Sequence, residues 1–230
     1  MKNIDVQDFI QRYETRLQQY GYDPQTLGWG KKGRQEVRFS VLAEEALTMP
    51  TCSILDVGCG FADLYDFLSN MGWKGTYTGV DIVPGLLRVA RERRPSVDVR
   101  LVDITSESQR LERYDYVIGS GVMNAKLPSG ENPLQTQRLL QAMFELANKA
   151  VCVDFMTTLV DFKNEAGWHT DPAWAISEAM KLSNKFKVRH DYMPFEFALF
   201  IYKDTGISHR NVFNSYEDQI QKLFPKHDRP

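Results

Sequence analysis

The sequence predicts an α/β domain: a mostly parallel sheet with helices on both faces and an antiparallel hairpin at one edge. Two observations carry this. From residue 53 onward, short apolar runs alternate with helical segments, the pattern of strands joined by helical crossovers. The last two runs are separated only by Met193 to Glu196, too short for a crossover, so those strands must be antiparallel neighbours.

The elements follow in order. Val6, Phe9, Ile10, Tyr13, Leu17 and Tyr20 recur at helical spacing, which predicts an amphipathic helix over Ile4 to Tyr20. Asp23-Pro24 and Gly28, Gly30 and Gly33 then make an irregular loop around Trp29. A second helix is expected from Arg34 to Leu47, ended by Met49-Pro50. Strands are expected at Ser53 to Val57, Thr76 to Ile82, Val97 to Ile104, Tyr114 to Ser120 and Val151 to Met156. Between them, helices are expected at Asp63 to Met71, Pro84 to Arg94 and Leu134 to Ala150. Pro84 suits a first helical position, and Pro95 stops that helix. Val151 to Met156 is apolar apart from Asp154, which predicts a central strand. Asp171-Pro172 opens a helix ending near Ser183, before strands at Phe186 to Tyr192 and Phe197 to Tyr202.

Three units result: residues 1–33 as N-terminal helix and lid loop, 34–203 as the main domain, and 204–230 as a polar tail. The 230 residues suit a single domain, and 43% hydrophobic with 25% charged residues is an ordinary globular balance. A net charge of −2 gives no general attraction to phosphate backbones, so nucleic acid is not the expected partner. Arg88, Arg91, Arg93 and Arg94 read as a solvated helix face. The three cysteines lack C-x-x-C spacing, so neither a disulfide framework nor a zinc site is expected, and a reducing cytoplasm fits. No secretory signal and no membrane-length apolar stretch is visible. Nothing sets an oligomeric state.

The chemistry concentrates at strand ends. Ile54-Leu55-Asp56-Val57-Gly58-Cys59-Gly60 reads as a strand running into a glycine turn, with a helix beyond. Glycine lets backbone approach a ligand closely. A G-x-G turn alone is weak evidence, but two details sharpen it. Asp56 sits just before the turn, where a carboxylate would repel a dinucleotide pyrophosphate. The third glycine of G-x-G-x-x-G is replaced by Asp63. Both oppose NAD and favour a cationic cofactor such as S-adenosylmethionine (SAM), which carries a sulfonium and an ammonium. Asp81 ends the second strand, about 20 positions beyond the turn, where an acidic residue accepts ribose hydroxyls. Asp103 ends the third and is placed to accept the adenine amino group, with Ile82 and Ile104 on the two ring faces. Ser120, among small residues after the fourth strand, leaves room for the methyl donor.

These segments, in this order and spacing, resemble the class I SAM-dependent methyltransferases over roughly residues 34–203. The resemblance implies a Rossmann-like, doubly wound seven-stranded sheet with the last strand inserted antiparallel. It implies Asp56, Gly58 and Gly60 around the methionine moiety, Asp81 on the ribose, Asp103 and Ile104 at the adenine, and Ser120 near the methyl group. Gly28-Trp29-Gly30 and Tyr192-Met193-Pro194-Phe195-Glu196-Phe197 resemble uncharacterised bacterial members, a likeness that carries no substrate.

On the acceptor side, Trp29 is placed to shield the cofactor, and Arg34 or Arg38 to pair with a carboxylate. His169, in the loop after the fifth strand, is the base candidate, because imidazole titrates near neutrality. Asn124 is placed to orient an acceptor. Gly119 to Asn124 reads GSGVMN, without the Asn/Asp-Pro-Pro-aromatic element of amino-methylating nucleic-acid enzymes or the cysteine of cytosine C5 enzymes. The expectation is methyl transfer to oxygen or nitrogen of a small molecule. Nucleic-acid or protein methylation, and a non-catalytic SAM-binding protein, are the alternatives.

Overall fold

The computed structural model describes residues 1–29, 34–163 and 165–204. Gly30, Gly33 and the tail from residue 205, with His209 and Arg210, lie outside them. Five parallel strands, β1 (Ile54–Val57), β2 (Tyr77–Asp81), β3 (Asp98–Leu101), β4 (Tyr114–Gly119) and β5 (Ala147–Thr157), form most of the sheet. Strands β7 (Phe186–Arg189) and β8 (Glu196–Tyr202) make the expected hairpin, and β8 inserts antiparallel beside β5. The order is β3-β2-β1-β4-β5-β8-β7. A two-residue strand, β6 (His169–Thr170), pairs with Met156 and Thr157 of β5, past the last β4 pair.

Strand alternation divides the core into two layers. Ile54, Ile118, Cys152, Ala198 and Phe200 face one side, under α2 (Arg34–Leu42), α3 (Asp63–Asn70) and α4 (Pro84–Arg93). Leu55, Val117, Val151, Val153 and Leu199 face the other, under α6 (Asn132–Leu146) and α7 (Pro172–Leu182). Helix α1 (Asn3–Tyr20) belongs to neither layer. It crosses the carboxyl ends of the strands: Asp5 accepts from Ser129 N at 3.0 Å, and Glu14 accepts from Gly85 N at 2.8 Å. Leu17 packs with Phe61, Val83 and Leu86 beneath it. No described helix is long and apolar enough to cross a membrane.

Several expected boundaries shift. The third strand stops at Leu101, because Asp103 caps a short helix, α5 (Ile104–Glu107), by accepting from Thr105 N at 2.9 Å. The helix expected to reach Ala150 ends at Leu146, and Ala147 already pairs with Tyr114 of β4. Tertiary pairing overrides helical periodicity there. The second helix ends at Leu42, and Ala46–Thr48 forms a separate 3₁₀ turn. β7 ends at Arg189, short of Tyr192. The arginine run is not a uniformly solvated face. Arg94 is buried and pairs with Asp63 and Asp66, tying the end of α4 to α3, and Arg91 donates to Val99 O.

Candidate cofactor and active site

Chain order reverses at β1, with β2 and β3 on one side and β4 and β5 on the other. Open α/β sheets bind ligands outside the strand ends at such a switch point. A cavity of about 250 Å³ lies there, beneath α1. The glycine turn forms its floor. Gly58 and Gly60 have φ of 70° and 55°, and a Cβ at either would come within 3.0 Å of Val122 or Leu27. Only glycine gives this turn its hand and its closeness to the cavity.

Three carboxylates line the cavity at successive strand ends. Asp56 is buried and accepts a 2.6 Å hydrogen bond from the Tyr77 hydroxyl. Burial, together with the charges of Asp81 and Asp63, pushes its pKa up to about 7, against the pull of that hydrogen bond. Asp81 accepts from Gly60 N and Val83 N, both at 2.9 Å, and burial raises its pKa as well. Asp103 also accepts from the Thr105 hydroxyl at 2.6 Å, and its other oxygen faces the N-terminal amino group at 3.8 Å. Ile82 and Ile104 line the same end. This concentration of acids suits a cation, and the two aliphatic side chains suit a flat ring. The residues fit SAM.

Ser120 and Asn124 line the cavity through a buried hub that sequence reading did not assign to the site. Asp154, fully buried on β5, accepts from Ser120 Oγ at 3.0 Å, Gly121 N at 2.8 Å and Asn124 Nδ2 at 3.1 Å. Asn124 Oδ1 accepts from Met156 N at 2.8 Å, so this side chain ties the loop after β4 to β5. The signal was present as the one charge in an apolar strand.

Trp29 and Arg38 also line the cavity. The Arg38 guanidinium is committed to a buried ion pair with Glu196 and stacks on Trp29, 4.0 Å from the ring centroid. Gly121 lies against the Trp29 ring, where a Cβ would sit 2.7 Å from it. His169 is not among the cavity-lining residues. Its Nδ1 lies 2.7 Å from Thr157 O, and Met156, Ala166 and Gly167 form the nearby wall. Tyr192 packs against the core, while Arg189 pairs with Asp191 and Glu44. Sequence reading gave a lid at residues 1–33 but not the side chains it lays on the cavity, Phe9, Arg12, Tyr13 and Arg16 of α1, nor Gln135 of α6. The amphipathic period of α1 marked an apolar face without saying what it covers.

A glycine turn ringed by carboxylates at a switch point defines an α/β domain built for a cationic adenosyl ligand. Residues 54–149 match the family described as "Methyltransferase domain". A protein named as a methyltransferase in Mycobacterium tuberculosis, Rv1506c, is 28% identical over 163 residues, covering 66% of this chain and 93% of that protein. Among solved structures, magnesium protoporphyrin IX methyltransferase (ChlM) from Synechocystis PCC 6803 with bound S-adenosylhomocysteine (SAH) aligns with a TM-score of 0.60 at 15% identity, covering 89% of this chain and 100% of that one. A TehB-like SAM-dependent methyltransferase from Corynebacterium glutamicum aligns with a TM-score of 0.56 at 17% identity, covering 86% of this chain and 98% of that one. These matches support reading the chain as a class I SAM-dependent methyltransferase.

Proposed function

We propose that this methyltransferase transfers the methyl group of SAM to an oxygen or nitrogen atom of a small molecule. The observation that carries the acceptor class is the roof. α1 is held at one end by Asp5 on Ser129 and at the other by Glu14 on Gly85. What remains beneath is a covered chamber, suited to a small acceptor and not to a polymer. The similar ChlM is named for a small molecule, magnesium protoporphyrin IX. Residues 1–33 act in this reading as a lid on the domain 34–203.

SAM supplies a methyl group already activated on sulfonium sulfur. The chain's own task is to hold the acceptor in line with it and keep water out, and orientation of this kind accounts for a large part of such a barrier. Gly58, Gly60 and Asp56 hold the methionine end, and Asp81 takes the ribose hydroxyls. Ile82 and Ile104 flank the adenine beside Asp103, and Ser120 borders the methyl group. Trp29, stacked on Arg38, closes the acceptor end. Its Nε1–H is buried without a partner, a donor open to an acceptor oxygen. Asn124 shapes that end through its loop, and His169 lies outside the cavity lining.

Calorimetric titration with SAM, SAH and NAD tests the cofactor, and a radiolabelled methyl assay tests the acceptor. Binding of the adenosyl ligands without NAD, and label in small phenols, amines or carboxylates, is the expected result. Label entering bulk RNA or protein instead would sink the small-molecule reading.

A further inference from the structure

Asp103, the carboxylate expected to read the adenine amino group, has one oxygen committed to its own loop. One oxygen takes both the backbone N–H and the hydroxyl of Thr105, and the other faces the N-terminal amino group. A different polar atom in the cavity wall stands unused. Gln135, in the first turn of α6, is 7% exposed and lines the cavity, and its Oε1 is buried without a hydrogen-bond partner. Buried amide oxygens are seldom left unpaired, because the lost hydration is not repaid.

Helix α6 packs against α5, the short helix that Asp103 caps and Ile104 opens. Leu139, one turn further along α6 and also lining the cavity, packs in the same apolar cluster as Val102, Ile104 and Met123. Asn132, one turn the other way, is satisfied: its Oδ1 accepts from Leu127 N at 2.9 Å and its Nδ2 donates to Ala125 O at 2.7 Å. Gln135 therefore presents an unpaired amide oxygen to the cavity that Leu139 and Ile104 also line.

We propose that Gln135 is the base-reading residue of the cofactor site, its Oε1 accepting a hydrogen bond from the adenine 6-amino group. A glutamine amide matches adenine because its acceptor and donor can meet the 6-amino group and N7 together. Asp103 then shapes the pocket by capping α5. The inference rests on the SAM reading and deepens it, by assigning which side chain separates an adenosyl from an inosyl ligand. With a 6-oxo base, both O6 and N7 are acceptors, so the amide can meet only one of them.

The test compares binding of SAH and S-inosylhomocysteine by calorimetry, using the full chain, Gln135→Leu, Gln135→Glu and Asp103→Asn. Melting curves confirm that each variant is folded. The wild type is expected to prefer SAH by about tenfold to a hundredfold. Gln135→Leu should abolish that preference, and Gln135→Glu, which keeps an acceptor, should retain most of it. A full preference in Gln135→Leu, or its loss in Asp103→Asn alone, overturns the assignment while leaving the SAM reading intact. Failure of the wild type to bind SAH overturns both.

Discussion

Arg38 of α2 and Glu196 at the start of β8 form a two-pronged ion pair, buried beneath the Trp29 ring. Strand alternation explains the meeting: Glu196, Ala198 and Phe200 face the α2 layer, as Asp154 does on β5. A buried pair of this kind is weak evidence for stability, but half of one is costly. Glu196→Leu should therefore destabilise the fold by roughly 3–5 kcal/mol, since it leaves a buried guanidinium without its partner carboxylate. The double variant Arg38→Met with Glu196→Leu should lose less than either single change. Chemical denaturation of the four proteins checks this, and additive losses would show that the two residues act separately.

Asp56 carries the pH prediction. Its folded pKa of about 7 lies above the ordinary 3.8 because burial disfavours the charged form. A raised carboxylate pKa means stability that is full below the unfolded value and lost as pH rises through the folded one. Between roughly pH 4 and pH 7 the ionising carboxylate should remove at most about 4 kcal/mol. Asp56→Asn should flatten this slope, as read from melting curves across that range. Cationic SAM reverses the balance by favouring the carboxylate, so binding near pH 7 should release a proton from the wild type. Titrations in buffers of different ionisation enthalpy would show that release, and it should be smaller in Asp56→Asn.

Asp154 holds the loop after β4 through Ser120, Gly121 and Asn124. Hydrogen bonds to a charged group contribute more than neutral ones, about 1.5–3 kcal/mol each. Asp154→Asn should speed amide exchange at Gly121 by roughly tenfold to a hundredfold, with weaker SAH binding. Unchanged exchange at Gly121 would mean that the loop is held from elsewhere.

The alternating strands and helices, the glycine turn and the strand-end acids were legible because each is a local signal. Asp56, Asp81 and Asp103 all reached the cavity. What each acid does there was less legible. Asp103 caps a helix that no periodicity announced, and Asn124, which lines the cavity, also ties its loop to β5. Gln135 gave no signal, since a lone glutamine on an amphipathic helix reads as surface until neighbouring elements bury it. Arg38 looked like a free cation because Glu196 lies 158 positions away. Partners that distant meet only through sheet order, which pattern alone does not supply.

Glu14 offers the sharpest handle on the roof. The residue before α4, Val83, caps nothing with its side chain, and Glu14 of α1 supplies the missing acceptor to Gly85 N. A carboxylate at a helix N-terminus is favoured by both the hydrogen bond and the helix dipole, and losing such a cap costs about 1 kcal/mol. The cost should fall on docking of α1 rather than on the sheet, because Glu14 links two elements that otherwise meet through Leu17, Val83 and Leu86. Glu14→Ala should leave the melting temperature of the main domain nearly unchanged. Cleavage within α1 by a nonspecific protease should quicken about fivefold, the factor that 1 kcal/mol sets on an opening equilibrium. Bound SAH should restore protection, since it fills the chamber whose roof includes Phe9 and Tyr13. Equal cleavage rates in variant and wild type would show that α1 is held by its N-terminal contacts alone, and the lid would then hinge at the other end.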